Sequence, residues 1–326
     1  MNSWGNIFRV SIWGESHGYQ VGVSIDGVPA GIQLCEDDFV ADLDRRRAGA
    51  AGTTPRKESD TPHIVSGVYN GYTTGAPLTI EFYNENTRSG DYKNLIHHPR
   101  PSHADWVAQK KWNGYNDPRG GGHFSGRITL GLVAAGVVAK KILGEQTIFS
   151  TDIIEIGGER DKQLQSQIIE EARMSNDSLG GIVECRIDGI TAGLGEPFFD
   201  SAESLMAHLL FSIPAVKGVE FGAGFAAARM RGSQHNDAIA DAEGHTTTNN
   251  AGGIVGGITN GNTIILRAAI KPTPSIASEQ HTFNFEHGVV EPLVIKGRHD
   301  VCITLRAAVV VEAAAAIALA DLKLRA

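Results

Sequence analysis

Arg119-Gly120-Gly121-Gly122-His123-Phe124-Ser125-Gly126-Arg127, followed at once by the apolar run Ile128 to Leu143, sets the reading of this chain. Three consecutive glycines are costly in ordered backbone, because Gly loses more conformational freedom on folding than any other residue. Such a stretch fits where the backbone must approach something closely, and the flanking Arg and His residues indicate an anion. The amides of Phe124 to Thr129 would then sit at the N-terminus of the following helix, a ready anion site. Just upstream stands a second charged stretch, Arg100-Pro101-Ser102-His103-Ala104-Asp105. Together they read as a pocket for a phosphorylated ligand.

The apolar run carries Gly131, Gly136 and several alanines on a nearly all-round apolar surface, which predicts a helix packed closely inside the core. Arg306 to Leu324 predicts a second alanine-rich buried helix. Ile128-Thr129-Leu130 opens one and Ile303-Thr304-Leu305 leads into the other, each after a segment rich in Gly, Arg, His and Asp. This loose likeness hints at an internal duplication whose two halves bring basic loops to one site. Alternation of apolar and polar residues predicts strands at Phe8 to Ile12 and Val21 to Ile25, flanking the turn Gly14-Glu15-Ser16-His17-Gly18. Further strands are expected at Val65 to Val68, Leu78 to Phe82, Ile182 to Ile187, Gly218 to Phe225 and Ile264 to Ile270. Helices are expected at Glu36 to Arg47 and at His103 to Lys111, the second capped by Ser102. No Pro/Ser linker divides the chain, so residues 1–326 read as one intertwined α+β domain.

The chain has 326 residues, 20% charged and 41% hydrophobic, ordinary values for a globular protein that buries a substantial core. Its net charge of −8 argues against a general nucleic-acid binder, which needs a basic face to release counterions. Basic runs inside an acidic protein point to a small anionic ligand instead. Cys35, Cys185 and Cys302 stand far apart without C-x-x-C spacing, and read as reduced, half-buried core residues of a cytosolic protein. No signal peptide is visible, and the most apolar segment, Ala307 to Ala320, is broken by Glu312 and too short to span a bilayer. A cytoplasmic location is therefore expected.

Several motifs carry chemistry, each with a plainer reading beside it. His17 lies in a Gly-flanked turn, either simply exposed or placed for proton transfer near neutrality. Asp44-Arg45-Arg46-Arg47 ends a helix, where cations suit the dipole. Three adjacent arginines nevertheless point in different directions, and Arg suits two-pronged binding of phosphate and carboxylate. A metal reading of His97, His98, His103 and Asp105 lacks a matched second cluster, and no metal is expected. The loop Thr248 to Ile258 is Gly-rich but lacks the G-x-G-x-x-G order of a dinucleotide site and the lysine of a P-loop. Lys271-Pro272-Thr273-Pro274-Ser275 offers a cation and two hydroxyls to a phosphate, or merely leaves a strand. Lys296-Gly297-Arg298-His299-Asp300 groups cation, imidazole and carboxylate, as an ion-pair cluster or as a site.

Taken in order, GESHG, DRRR, RPSHAD, RGGGHFSGR, NNAGGIVGG, KPTPS and GRHD resemble the motif series of the chorismate synthase family, from about Gly5 to Leu322. The resemblance implies a β-α-β sandwich, long buried helices lying between antiparallel sheets, and a homotetramer. It implies conversion of 5-enolpyruvylshikimate 3-phosphate to chorismate by 1,4-anti elimination of phosphate, with reduced FMN as cofactor and no net oxidation.

Carried over residue by residue, Ser16, Arg46, Arg47, Arg100, Arg127 and Arg298 would bind the substrate's phosphate and two carboxylates. His17 would protonate the departing phosphate, His103 would stabilise or protonate the reduced flavin, and Asp300 would deprotonate flavin N5. FMN contacts would come from His123, Phe124, Ser125, Pro214, Ala215, Gly256, Lys271, Pro272, Thr273, Pro274, Ser275 and Arg298. His123-Phe124-Ser125 stands where many relatives carry Arg-Ser-Ser, and Ala51-Gly52 where many carry a further arginine. NADPH binding is accordingly not expected, although an NADPH-dependent flavin oxidoreductase is the alternative enzyme class. An anion- or RNA-binding module built on the DRRR loop is the non-enzymatic one, disfavoured by the acidic charge and the absence of base-stacking aromatics there.

Overall fold

The computed structural model describes residues 2–49, 52–54, 58–87, 94–295 and 299–326. From the N-terminal side come β1 (Ser3–Trp4), β2 (Arg9–Gly14), β3 (Gln20–Asp26) and α1 (Val40–Arg46). Next are β4 (His63–Ser66), β5 (Val68–Tyr69), β6 (Tyr72–Thr73), β7 (Leu78–Tyr83), α2 (Asp105–Lys111) and α3 (Thr129–Leu143). The middle holds β8 (Ile148–Ile156), α4 (Lys162–Met174), β9 (Gly181–Asp188), α5 (Ala202–Ser212), β10 (Val216–Phe221) and α6 (Gly232–His235). There follow β11 (Ile254–Val255), β12 (Ile258–Thr259), β13 (Ile264–Ile270), β14 (Gln280–Asn284), β15 (Val289–Leu293) and α7 (Thr304–Arg325).

Two antiparallel sheets enclose the helices. The first has the order β1-β2-β3-β7-β4 and the second β10-β13-β9-β8. Strand β7, Leu-Thr-Ile-Glu-Phe-Tyr, buries every second residue, as a sheet with one face on a core must. α3 lies on β2, β3 and β7, α7 lies on β8, β9 and β13, and the two helices pack on each other. The fold is thus the β-α-β sandwich of the α+β class, with a continuous core running from Phe8 through both helices to Leu322.

Small residues let these layers close. A Cβ added at Gly136 of α3 would lie 2.4 Å from Cβ and 2.7 Å from Cα of Ala313 on α7. One added at Gly131 would lie 3.1 Å from the carbonyl oxygen of Gly22 on β3. Two carboxylates inside α7 serve as anchors. Asp321 Oδ1 accepts hydrogen bonds from the amides of Asn6, Ile7 and Phe8 at 3.0, 2.7 and 2.9 Å. Glu312 takes both prongs of Arg45 at 2.9 and 2.7 Å and a further bond from Lys140. Burial alone would push its carboxyl up, but Arg45 and Lys140 overcome this and hold it at about 2. That pairing fixes the end of α1, and with it Arg46 and Arg47, against α7.

Some expectations are corrected. The helix expected from His103 begins at Asp105, with Ala104 rather than Ser102 at its cap. Ser102 instead takes a φ of +57° in a turn that faces Arg100 toward Asp105. The strand expected over Val65 to Val68 breaks after Ser66, and that over Gly218 to Phe225 ends at Phe221, where Gly222 turns at a φ of +54°. Cys35 is exposed, whereas Cys185 and Cys302 are buried, and all three are free. Strand β8, helices α4 and α5, and the β14–β15 hairpin were not anticipated. Among the described residues no helix is long and apolar enough to cross a membrane.

Replacing Gly136 by Ala should cost about 1–3 kcal/mol, because the α3–α7 contact cannot admit a methyl without moving a helix. Thermal unfolding checks this. A midpoint equal to that of the unchanged chain would contradict the close crossing.

Candidate active site

A cavity of about 620 Å³ opens at the ends of α3 and α7, a volume in the usual range for a cofactor or substrate site. Nine chain segments meet on its walls: the β2–β3 turn, the end of α1, the loop between α1 and β4, the stretch after β7, the loop before α2, the turn before α3, the α5–β10 connection, the exit of β13, and the entry to α7.

Gly120, Gly121 and Gly122 have φ values of +60°, +82° and +54°, a conformation that side-chain-bearing residues avoid. A Cβ at Gly120 would fall 2.5 Å from Cδ2 and 2.6 Å from Nε2 of His17. At Gly121 it would fall 3.4 Å from Nε2 of His103, and at Gly122 2.1 Å from the carbonyl oxygen of Asp117. The carbonyl of Gly122 accepts the amide of Ser16 at 3.1 Å. The sequence pointed to an anion as the object of the close approach. Among the described residues the close neighbours are His17 at Gly120, His103 at Gly121 and the carbonyl of Asp117 at Gly122.

The helix N-terminus after it is partly satisfied from within. Ser125 Oγ accepts the amide of Arg127 at 3.3 Å, and its carbonyl accepts that of Ile128 at 3.1 Å. The carbonyl of Gly126 receives Arg46 Nη2 at 2.7 Å, and Thr129 Oγ1 receives Arg46 Nε at 3.0 Å. Arg46 thus spans the start of the helix, and Phe124, Ser125, Gly126 and Arg127 line the cavity beside it.

Arg46 is 2% exposed, and its Nη1 has no hydrogen-bond partner among the described residues. Burial and the neighbouring Arg306 push its guanidinium down to about 9, while Asp60 and Asp300 pull it up and Arg127 pushes it further down. Asp60 lies 3.5 Å from that Nη1 and 2.6 Å from Nη1 of Arg127. Arg127 spends its other nitrogens on Asn84 Oδ1 and the carbonyl of Tyr83. Arg47 pairs with Asp44 at 2.6 Å and gives Nη2 to the carbonyl of Ser59 at 2.7 Å. Arg100 binds Asp105 through Nε and Nη2, both at 2.7 Å, and gives Nη1 to Ser275 Oγ at 2.9 Å. His103 Nδ1 lies 2.7 Å from Asp105 Oδ1. Asp300 receives the Thr54 amide at 2.9 Å and Arg306 Nη1 at 3.0 Å, and Arg306 Nε also donates to the carbonyl of Arg46 at 3.0 Å.

Of the residues expected from sequence, Ser16, His17, Arg46, Arg47, Arg100, His103, Phe124, Ser125, Arg127, Pro214, Ala215, Lys271, Thr273, Pro274, Ser275 and Asp300 line the cavity. Pro272 sits within the lining segment without facing the cavity. His123 turns away, its Nδ1 2.7 Å from the carbonyl oxygen of Gly14. Gly256 lies at the tip of the β11–β12 hairpin, also off the lining. Arg298 and Ala51 lie outside the described residues. Asp60 and Arg306 were missed; each is a single charge outside the motifs, and only the fold joins Asp60 to Arg127 and Arg306 to Arg46. Asp105 had a signal, the R-P-S-H-A-D spacing, which sequence reasoning considered only for metal.

A family model described as chorismate synthase matches residues 8–324. A Chitinophaga pinensis protein named chorismate synthase is 61% identical over 324 residues, covering 99% of this chain and 97% of its own. A Dehalococcoides mccartyi protein of the same name is 46% identical, covering 100% and 97%. A solved structure titled as the crystal structure of chorismate synthase superposes with a TM-score of 0.75 at 28% identity, over 99% of this chain and 93% of the other.

A Gly120→Ala substitution should displace the His17 ring and cost about 1–2 kcal/mol for the left-handed backbone it would force on a substituted residue. A crystal structure and a thermal melt of the variant check both. An unmoved ring and an unchanged midpoint would refute the seating of His17 against Gly120.

Proposed function

The chain belongs to the chorismate synthase family, and from that premise we propose how its cavity carries out the family's reaction. It is a carbon–oxygen lyase of the shikimate pathway that eliminates phosphate from 5-enolpyruvylshikimate 3-phosphate to give chorismate. The observation that carries this reading is the convergence of two imidazoles, a carboxylate and several arginines on one cavity at the entry to both buried helices.

Reduced FMN is the proposed cofactor. Two buried polar atoms without hydrogen-bond partners among the described residues, Thr273 Oγ1 and Arg46 Nη1, belong to residues of this wall and suit a ligand rich in acceptors. Phe124, Ile213, Pro214 and Val310 supply apolar surface for a flat ring, while Lys271, Thr273 and Ser275 supply donors for a phosphate. His123, Pro272, Gly256 and Arg298 stay as proposed contacts on the family resemblance alone. When bound, reduced flavin supplies the electron-rich partner that lets a non-acidic ring hydrogen leave without a strong base.

The chain's own residues do the rest. Arg46, whose Nη1 has no hydrogen-bond partner among the described residues, meets the substrate's anionic groups directly; Arg47, Arg100, Arg127 and Ser16 line the same wall. His17 gives a proton to the phosphate oxygen as the C–O bond breaks, the point at which an acid near neutrality is most effective. Asp300, oriented by Arg306 and the Thr54 amide, accepts a proton at its carboxylate. His103 serves the cofactor side of the cavity. Electrons balance because one C–H and one C–O bond are lost while one C=C bond is gained.

Exposed Phe198, Phe199 and Phe225, at 84%, 92% and 77% of full exposure, support burial in a homotetramer. Two sheets, each covered by one of two helices that begin at the cavity, support the reading of residues 1–326 as one domain of two loosely similar halves. A cytoplasmic site of action goes with the pathway.

Anaerobic incubation with 5-enolpyruvylshikimate 3-phosphate and dithionite-reduced FMN should give chorismate, read by its absorbance. His17→Ala or Asp300→Ala should lower turnover by about a hundredfold or more while FMN still binds, and Arg46→Ala should chiefly raise KM. Absence of product from folded protein would end the lyase reading, and NADPH consumed in proportion to product would favour an oxidoreductase.

A further inference from the structure

Two groups compete for one nitrogen of His103. Its Nδ1 is 2.7 Å from Asp105 Oδ1 and 3.0 Å from Arg100 Nη2. The arginine can bond only to a bare nitrogen, and the carboxylate only to a protonated one. A bare Nδ1 would set two lone pairs against each other at 2.7 Å in a partly desolvated place. A proton on Nδ1 turns the same 2.7 Å contact into a charge-assisted pairing with the carboxylate. Arg100 loses nothing by this, because its Nη2 already donates to Asp105 Oδ1 at 2.7 Å.

We propose that Asp105 is a positioning residue that holds His103 in the Nδ1–H tautomer, so that Nε2 is the atom which takes up and returns a proton at the cavity wall. The other ring nitrogen sets which one faces the ligand. Among the described residues Nε2 of His103 has no hydrogen-bond partner, and it sits beside Gly121, whose missing side chain leaves it room. Asp105 is fit for the task. Burial alone would push its carboxyl up, yet bonds from Arg100 and His103 hold it well below the usual carboxylate range. Burial also pushes His103 down, Asp105 pulls it up, and the charges of Arg100 and Lys271 push it down further, leaving it below its ordinary value. At neutral pH the ring is then uncharged and its Nε2 lone pair is open. Arg100 Nη1 on Ser275 Oγ ties the same unit to the segment after β13.

The proposal rests on the reading of His103 as a proton-handling group of the lyase, so its principal test needs no turnover. The full-length, substrate-free protein is labelled with ¹⁵N-histidine, and the His103 signals among the 12 histidines are assigned by their loss in His103→Asn. Near neutral pH the expected result is a protonated Nδ1 and an unprotonated Nε2. A protonated Nε2 with a bare Nδ1 overturns the proposal whether or not the enzyme turns over, and this outcome is distinct from failure to form chorismate. In steady-state kinetics Asp105→Asn should lower kcat about a hundredfold or more, as when a buried carboxylate partner of a catalytic imidazole is removed. KM for substrate should stay within threefold, and Asp105→Glu should recover part of the rate. A kcat like that of the unchanged enzyme, or a loss confined to KM, overturns it. If Asp105→Asn does not fold, the spectrum of the unchanged protein decides.

Discussion

The rest of the molecule depends on the close crossing of α3 and α7, where Gly136 faces Ala313 with no room for a methyl between them. Each helix carries a sheet on its outer side, so their separation sets the distance between the sheets. Each also begins at the cavity, α3 after the triple-glycine turn and α7 after Asp300. Arg46 bridges to Thr129 at the start of α3, and Arg306, from the start of α7, binds the carbonyl of Arg46 and the carboxylate of Asp300. A shift of one helix along the other would break this chain of contacts. Core packing and the geometry of the site are thus one constraint.

The charges divide into those that face the ligand and those that hold others in place. Arg127 is engaged at all three nitrogens, by Asn84, Asp60 and Tyr83, and Arg100 likewise by Asp105 and Ser275. These two act largely as struts, whereas Arg46 Nη1 has no hydrogen-bond partner among the described residues. Buried carboxylates behind the arginines allow such a density of cations in a protein of net charge −8, since unpaired buried charges are far too costly. Asp60, Asp105 and Asp300 share that duty.

Much of this was legible in the sequence. Apolar periodicity located α3, α7 and the main strands, because a helix buried on all sides and strands buried on one face leave different spacing. Most of the motif series lies on the cavity walls, and the NNAGGIVGG loop does not. Periodicity was silent on α4, which shows a mostly polar surface, and on β8, whose exposed and half-buried residues alternate without a clear apolar face. The triple glycine marked a turn of close approach, and the fold sets His17, His103 and the carbonyl of Asp117 beside it, neighbours that a pattern of glycines cannot name. Asp60 and Arg306 carry no local signal at all. Arg306 reaches Arg46 and Asp60 reaches Arg127 only through tertiary contact, which gives them their meaning.

The central claim is that separated segments of chain form one binding surface for substrate and flavin. Amide hydrogen exchange read by mass spectrometry, with and without 5-enolpyruvylshikimate 3-phosphate and oxidised FMN, tests it most directly because no turnover intervenes. The account predicts joint protection of peptides spanning 16–17, 46–47, 100–103, 120–127, 271–275 and 300–306. Protection confined to one of these segments, or found only elsewhere, would contradict it.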